Sequence, residues 1–147
     1  MRKMEAGFKF EEIYRDGDVL EVRVIGWNGA FGGVANVYVG IGRLGEVATL
    51  LQGFPSSVTD DREFTLGAFG GEFAGGGVSL RFRTCGGAAQ VVVESRIEAD
   101  SDSAAPRQSV VLIMPTEAAA IDSFVEGLRS IDRNQAREAR LRGTTSG

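Results

Sequence analysis

The chain has 147 residues, a formal net charge of −4, one cysteine and no histidine. That length is one ordinary domain, able to bury roughly two-thirds of its unfolded surface, so neither disulfides nor a metal is needed to hold it together. Cys85 alone cannot close an intrachain disulfide, the missing histidine removes the usual zinc, copper and haem ligands, and the acidic balance argues against a general nucleic-acid binder.

The N-terminus, Met1-Arg2-Lys3-Met4-Glu5, has basic residues with no apolar run behind them. Neither a signal peptide nor a membrane span is expected, no cofactor or metal is implied although a magnesium or calcium site built from carboxylates stays open without EF-hand spacing, and a reducing cytoplasm is the expected compartment. Charge is uneven along the chain. Residues 133–147 carry +3 from Arg133, Arg137, Arg140 and Arg142 against Glu138, which leaves −7 on residues 1–132. The expectation is a single domain over 1–132 followed by a basic, frayed or disordered tail over 133–147. An acidic body either serves solubility or presents a face to a basic partner.

The first elements are strands. Phe8-Lys9-Phe10-Glu11-Glu12-Ile13 alternates and leads to a turn at Asp16-Gly17, after which Leu20, Val22 and Val24 share one face with Glu21 and Arg23 on the other. Asn28-Gly29-Ala30-Phe31-Gly32-Gly33 is a turn or loop, and Val37, Val39 and Ile41 resume the period of two. Residues 44–52 read as a short helix with Val47, Leu50 and Leu51 apolar, ended by Gly53 and Pro55. A short strand over 62–66 precedes residues 67–77, whose many glycines flank Phe69 and Phe73. Either a mobile loop or a bulged, glycine-kinked strand accounts for that composition.

Val78, Leu80 and Phe82 alternate with Ser79, Arg81 and Arg83. A turn at Cys85-Gly86-Gly87 returns the chain through Val91, Val93 and Ile97, with Glu94, Arg96 and Glu98 outward. Residues 100–107 form a Ser, Asp, Ala and Pro linker expected to be disordered. Ser109-Val110-Val111-Leu112-Ile113-Met114-Pro115-Thr116 is the last expected strand. It feeds the clearest helix of the chain, with Ala120, Ile121, Phe124, Val125, Leu128 and Ile131 in one stripe, Thr116 placed as its cap and Glu117 in its first turn. The expected fold is α+β: a mostly antiparallel, curved sheet of six or seven strands, the C-terminal amphipathic helix packed on one face, and one short additional helix. No internal repeat and no second domain are legible.

Three motifs carry possible chemistry. Gly40-Ile41-Gly42-Arg43-Leu44-Gly45 has the G-x-G-x-x-G spacing after a valine-rich strand, with Asp60 and Asp61 about twenty residues on, as in a dinucleotide-binding turn. Its context departs from that motif: the following helix is short, Pro55 and a polar run stand where a parallel strand belongs, and the chain opens with an antiparallel hairpin. Paired carboxylates at Glu11-Glu12, Asp60-Asp61 and Asp100-Asp102 offer acid/base chemistry, but nothing in these polar segments drives their pKa values apart. Cys85 beside Gly86 and near Arg83 lacks the base that a nucleophilic thiol needs. Trp27, Phe31, Phe69 and Phe73, glycine-flanked and outside clean alternation, are either loop residues folded onto the core or exposed anchors for a partner.

The order of elements resembles that of WapI-type immunity proteins and related small bacterial domains of unknown function. The phrases that carry the resemblance are the opening hairpin, the strand leading to the short helix from Glu46 to Leu51, the hairpin over 78–97, and Val110-Val111-Leu112-Ile113-Met114 followed by the helix with Ile121, Phe124, Val125 and Leu128. The resemblance implies a bacterial, cytoplasmic antagonist that binds and blocks a toxin domain, and it transfers no functional residue. The leading expectation is therefore a non-enzymatic binding module with a protein partner and neither nucleic acid nor membrane. Its candidate contacts are Trp27, Phe31, Asp60, Asp61, Phe69, Phe73, Asp100 and Asp102. One alternative is a nucleotide or small-ligand binder using Gly40, Gly42 and Gly45, and a further one is a carboxylate-dependent hydrolase.

Overall fold

A computed structural model describes residues 5–71, 74–86, 90–100 and 106–144. In chain order the elements are β1 (Gly7–Arg15), β2 (Val19–Trp27), β3 (Gly32–Gly40), α1 (Arg43–Leu51), β4 (Asp61–Gly67), β5 (Gly77–Thr84), β6 (Gln90–Glu98), β7 (Ser109–Glu117), α2 (Ala118–Asp132) and β8 (Glu138–Arg142). The architecture is α+β and its strand pairings are antiparallel. The strands do not form the single six- or seven-stranded sheet read from the sequence. They divide into two four-stranded sheets, ordered β3-β2-β1-β8 and β4-β5-β6-β7. Alternation marks which side chains face inward, but both sheets face the same core, so the pattern carries no mark of which sheet a strand joins.

The expected tail is the second difference. Residues 138–142 are a strand that closes the first sheet along β1, with Phe8 opposite Leu141 and Phe10 opposite Ala139. Ala139 and Leu141 are buried while Glu138, Arg140 and Arg142 face water, so the arginines sit on the outer side of a short alternating strand.

One core joins both sheets and both helices. Leu44, Val47, Ala48 and Leu51 make the buried stripe of α1, and Ile121, Phe124, Val125, Leu128 and Ile131 make that of α2. Phe124 meets Phe10 edge-on at 5.1 Å between ring centroids, which fixes α2 to the inner face of the first sheet. Phe82 packs with Phe54 at 6.1 Å and with Phe64 at 6.2 Å, tying the segment after α1 to the second sheet. Gly127 lets α2 approach β8 closely, since a Cβ there would lie 2.7 Å from that of Ala139.

The start of α2 differs from its expected cap. Glu117, extended at φ −126°, occupies the N-cap without a side-chain cap bond. Thr116 faces inward and its hydroxyl donates to the carbonyl of Arg142 at 2.7 Å, so it joins β7 to the end of β8. Pro115, without an N–H, sits on the edge strand of its sheet, where the ladder tolerates it.

The described part of residues 67–77 is a hairpin connection and not a bulged strand. Gly67 pairs with Gly77, and the Gly76 N–H donates to the Asn36 carbonyl at 2.8 Å, pinning the loop to β3.

Candidate functional site

The β2–β3 connection is a rigid turn. The side-chain oxygen of Asn28 accepts the N–H groups of Ala30 at 2.9 Å and Phe31 at 2.8 Å, and its Nδ2 donates to the carbonyl of Ile113 on β7 at 3.2 Å. One asparagine thus shapes the turn and ties it to the edge of the other sheet. Trp27 lies half-buried across Gly32, where a Cβ would come within 2.9 Å of its indole.

Beside this turn the sheets part around a cleft of about 170 Å³, walled by Gly32, Gly33 and Val34 of β3 and by Ser109 and Val110 of β7, with Ile97 also lining it. Large apolar side chains stand open around the same strands: Phe31 is 64% exposed, Val34 49%, Val111 65% and Ile113 57%.

The remaining candidates from the sequence are distributed elsewhere. Phe69 is half-buried under the Arg96 guanidinium, 4.4 Å from its ring centroid. Beside it Glu98, an outward position by alternation, is buried. It accepts the Gly70 N–H at 2.7 Å and lies 3.6 Å from Arg96 and 3.9 Å from Arg107, whose guanidinium also donates to the Gly75 carbonyl at 2.8 Å. These groups clamp the glycine-rich loop onto the second sheet.

Asp60 accepts from the backbone and hydroxyl of Ser56 and from Arg62. Partial burial opposes its ionisation, but the bonds from Arg62 and Ser56 outweigh it and hold the carboxyl at about 2. Asp61 receives two bonds from Arg81 at 3.0 and 2.6 Å, which keep its carboxyl below the usual range. Both carboxylates of this pair are pushed the same way, opposite to what an acid and base pair needs. Glu11 pairs with Lys9 and Glu12 with Arg15. Asp100 is exposed at the end of the second hairpin, and Phe73 and Asp102 lie outside the described residues.

The glycines of residues 40–45 serve a strand-to-helix turn. Gly42, at φ 94°, is the N-cap of α1. Its flanking strands β3 and β4 belong to different antiparallel sheets, so the parallel β-α-β crossover of a dinucleotide site is not formed here. The Asp132 carboxylate lies against Gly45, 2.6 Å from where a Cβ would be, which places an anion of the chain itself beside the first turn of α1.

Among the described residues no group of three or more His, Cys, Asp and Glu side chains is placed to hold a metal ion, and no helix is long and apolar enough to cross a membrane. No protein-family model, curated protein or solved structure matches the chain.

Of the apolar residues named here, the sequence singles out Trp27 and Phe31 and not the exposed Val34, Val111 and Ile113. The available signal was the unbroken apolar run Val110-Val111-Leu112-Ile113-Met114. A strand needs apolar residues on one face only, so the second apolar face of this run asks for a cover of its own.

Proposed function

We propose that this protein is a non-enzymatic binding module whose partner is another protein, in the manner of a bacterial cytoplasmic immunity protein, and that its contact surface is the cleft between β3 and β7. The observation that carries this reading is Phe31, 64% exposed on a turn held by the Asn28 hydrogen bonds. A large aromatic on preorganised backbone loses little entropy on binding, and such residues supply most of the energy of an interface. Val34 lines the cleft, and Val111 and Ile113 stand exposed on the outer face of β7, whose other face carries Val110 into the cleft. The carboxylates outside this surface support it less, since Asp60 and Asp61 are engaged by Arg62 and Arg81.

The test is co-expression with the protein encoded beside it in its native genome. The expected result is a complex that protects cells from that neighbour, with Phe31→Ala and Ile113→Lys each weakening binding at least tenfold while both variants stay folded. No complex with the neighbour, together with a thermal shift on adding ATP or NAD that Gly42→Val abolishes, overturns this reading in favour of a nucleotide site.

A further inference from the structure

The two sheets match strand for strand. Read from the open edge, β3, β2, β1 and β8 of one correspond to β7, β6, β5 and β4 of the other, and a helix follows the edge strand in each case. The correspondence holds at single residues. Gly7 faces Trp27 as Gly77 faces Glu98, and Phe8 faces Leu141 as Val78 faces Leu66. Gly143 donates to the Ala6 carbonyl at 2.9 Å as Ala68 donates to that of Gly76 at 3.2 Å. The buried positions Leu44, Val47, Ala48 and Leu51 recur at the same spacing as Ile121, Phe124, Val125 and Leu128.

Contacts between equivalent residues locate an axis. By these registers Gly26 corresponds to Ile97, Gly33 to Val110, and, continuing the β3-to-β7 offset through the helices, Gln52 to Arg129. Each pair is in contact. A Cβ on Gly26 would lie 2.9 Å from Ile97, one on Gly33 would lie 2.7 Å from Val110, and Arg129 donates to the Gln52 side chain at 2.6 Å. A residue touches its own equivalent only beside a two-fold axis, as in an isologous dimer.

We propose that the chain is one β-β-β-α-β unit present twice, over residues 7–67 and 77–142, and joined as a strand-exchanged dimer. The closing strand of each unit leaves its own sheet and pairs with the first strand of the other: β4 lies on β5, and β8 lies on β1. The open side of each three-stranded meander therefore fits one kind of partner, the closing strand of a second copy of the unit. Residues 68–76 are then the link that makes two protomers one chain. Few residues are identical at equivalent positions, among them Val22 and Val93, Leu51 and Leu128, and Leu66 and Leu141, so burial repeats while sequence does not.

Two substituted chains and a circular permutant test this, all read by thermal unfolding and size-exclusion chromatography. Gly33→Val alone drives a methyl into Val110 and lowers Tm by about 5 °C. The exchanged pair Gly33→Val with Val110→Gly restores Tm to within about 1 °C of the parent, because equivalent positions have equivalent surroundings. A circular permutant starting at residue 74 and ending at residue 71, with residue 144 joined to residue 5 by a linker as long as residues 70–74, folds as a cooperative monomer. A doubly exchanged variant no more stable than Gly33→Val, or a permutant that does not fold, overturns the proposal.

Discussion

Asp60 holds Arg62 through two hydrogen bonds, at 3.1 and 2.7 Å, and so aims its guanidinium at the end of α1, where it donates to the carbonyls of Leu50 and Gln52. The same guanidinium covers Phe54 at 5.2 Å from the ring centroid. Carbonyls at a helix end have no partner within the helix, and a cation there satisfies both hydrogen bonding and the helix dipole. A second strand residue does the same for α2: Arg15, paired with Glu12, donates to the Ile131 carbonyl at 2.5 Å.

This arrangement makes stability depend on acid pH with a definite sign. The Asp60 carboxyl falls from its ordinary 3.8 to about 2 in the fold, so its contribution is complete above pH 3.8 and is lost as pH falls towards 2. Asp60→Asn lowers stability by about 1 kcal/mol at pH 7, allowing for solvent screening, and the gap to the parent closes near pH 2. Urea unfolding of both proteins across that range checks it, and a gap that is constant with pH contradicts the assignment.

Ser95 is buried between Leu80 and Leu112 in the ladder, and its hydroxyl has no hydrogen-bond partner. The corresponding residue of the first sheet is Val24, fully buried. Burying an unpaired hydroxyl is unfavourable, so Ser95→Val is expected to raise stability by about 1 kcal/mol and Tm by a few degrees. Calorimetry decides the sign directly.

The contact between Gly127 and Ala139 predicts that the C-terminal strand is integral to the core. Gly127→Ala gains helix propensity but forces α2 away from β8, for a net loss of about 1–2 kcal/mol. Deleting residues 138–147 removes the buried Ala139 and Leu141 and leaves β1 unpaired along one edge, at a cost of about 3–5 kcal/mol. A truncated chain that unfolds at the parent temperature would show the segment to be dispensable.

What the sequence made legible follows from what periodicity encodes. The α2 stripe, the β1–β2 hairpin and the inward sets of β5 and β6 were readable because their apolar residues recur at 3.6 or 2.0 over many positions. Strand β8 was not, because only Ala139 and Leu141 point inward between charged neighbours. Glu98 was misjudged for a related reason: the loop that covers it comes from the β4–β5 hairpin, and long-range cover leaves no local pattern. The division into two sheets, and the correspondence between them, rest on register and burial and not on shared residues. Of the proposed contact residues, Phe31 and Trp27 stood out by their glycine flanks, while the exposed Val111 and Ile113 were absorbed into what read as core.

The cleft between β3 and β7 is the proposed binding site for a protein partner. Calorimetric titration of the neighbour-encoded protein into the parent, Phe31→Ala and Asp61→Asn measures this most directly. Saturable binding that weakens at least tenfold with Phe31→Ala and changes less than about twofold with Asp61→Asn is the predicted result. Equal affinity for the parent and Phe31→Ala, or loss of binding only with Asp61→Asn, contradicts it.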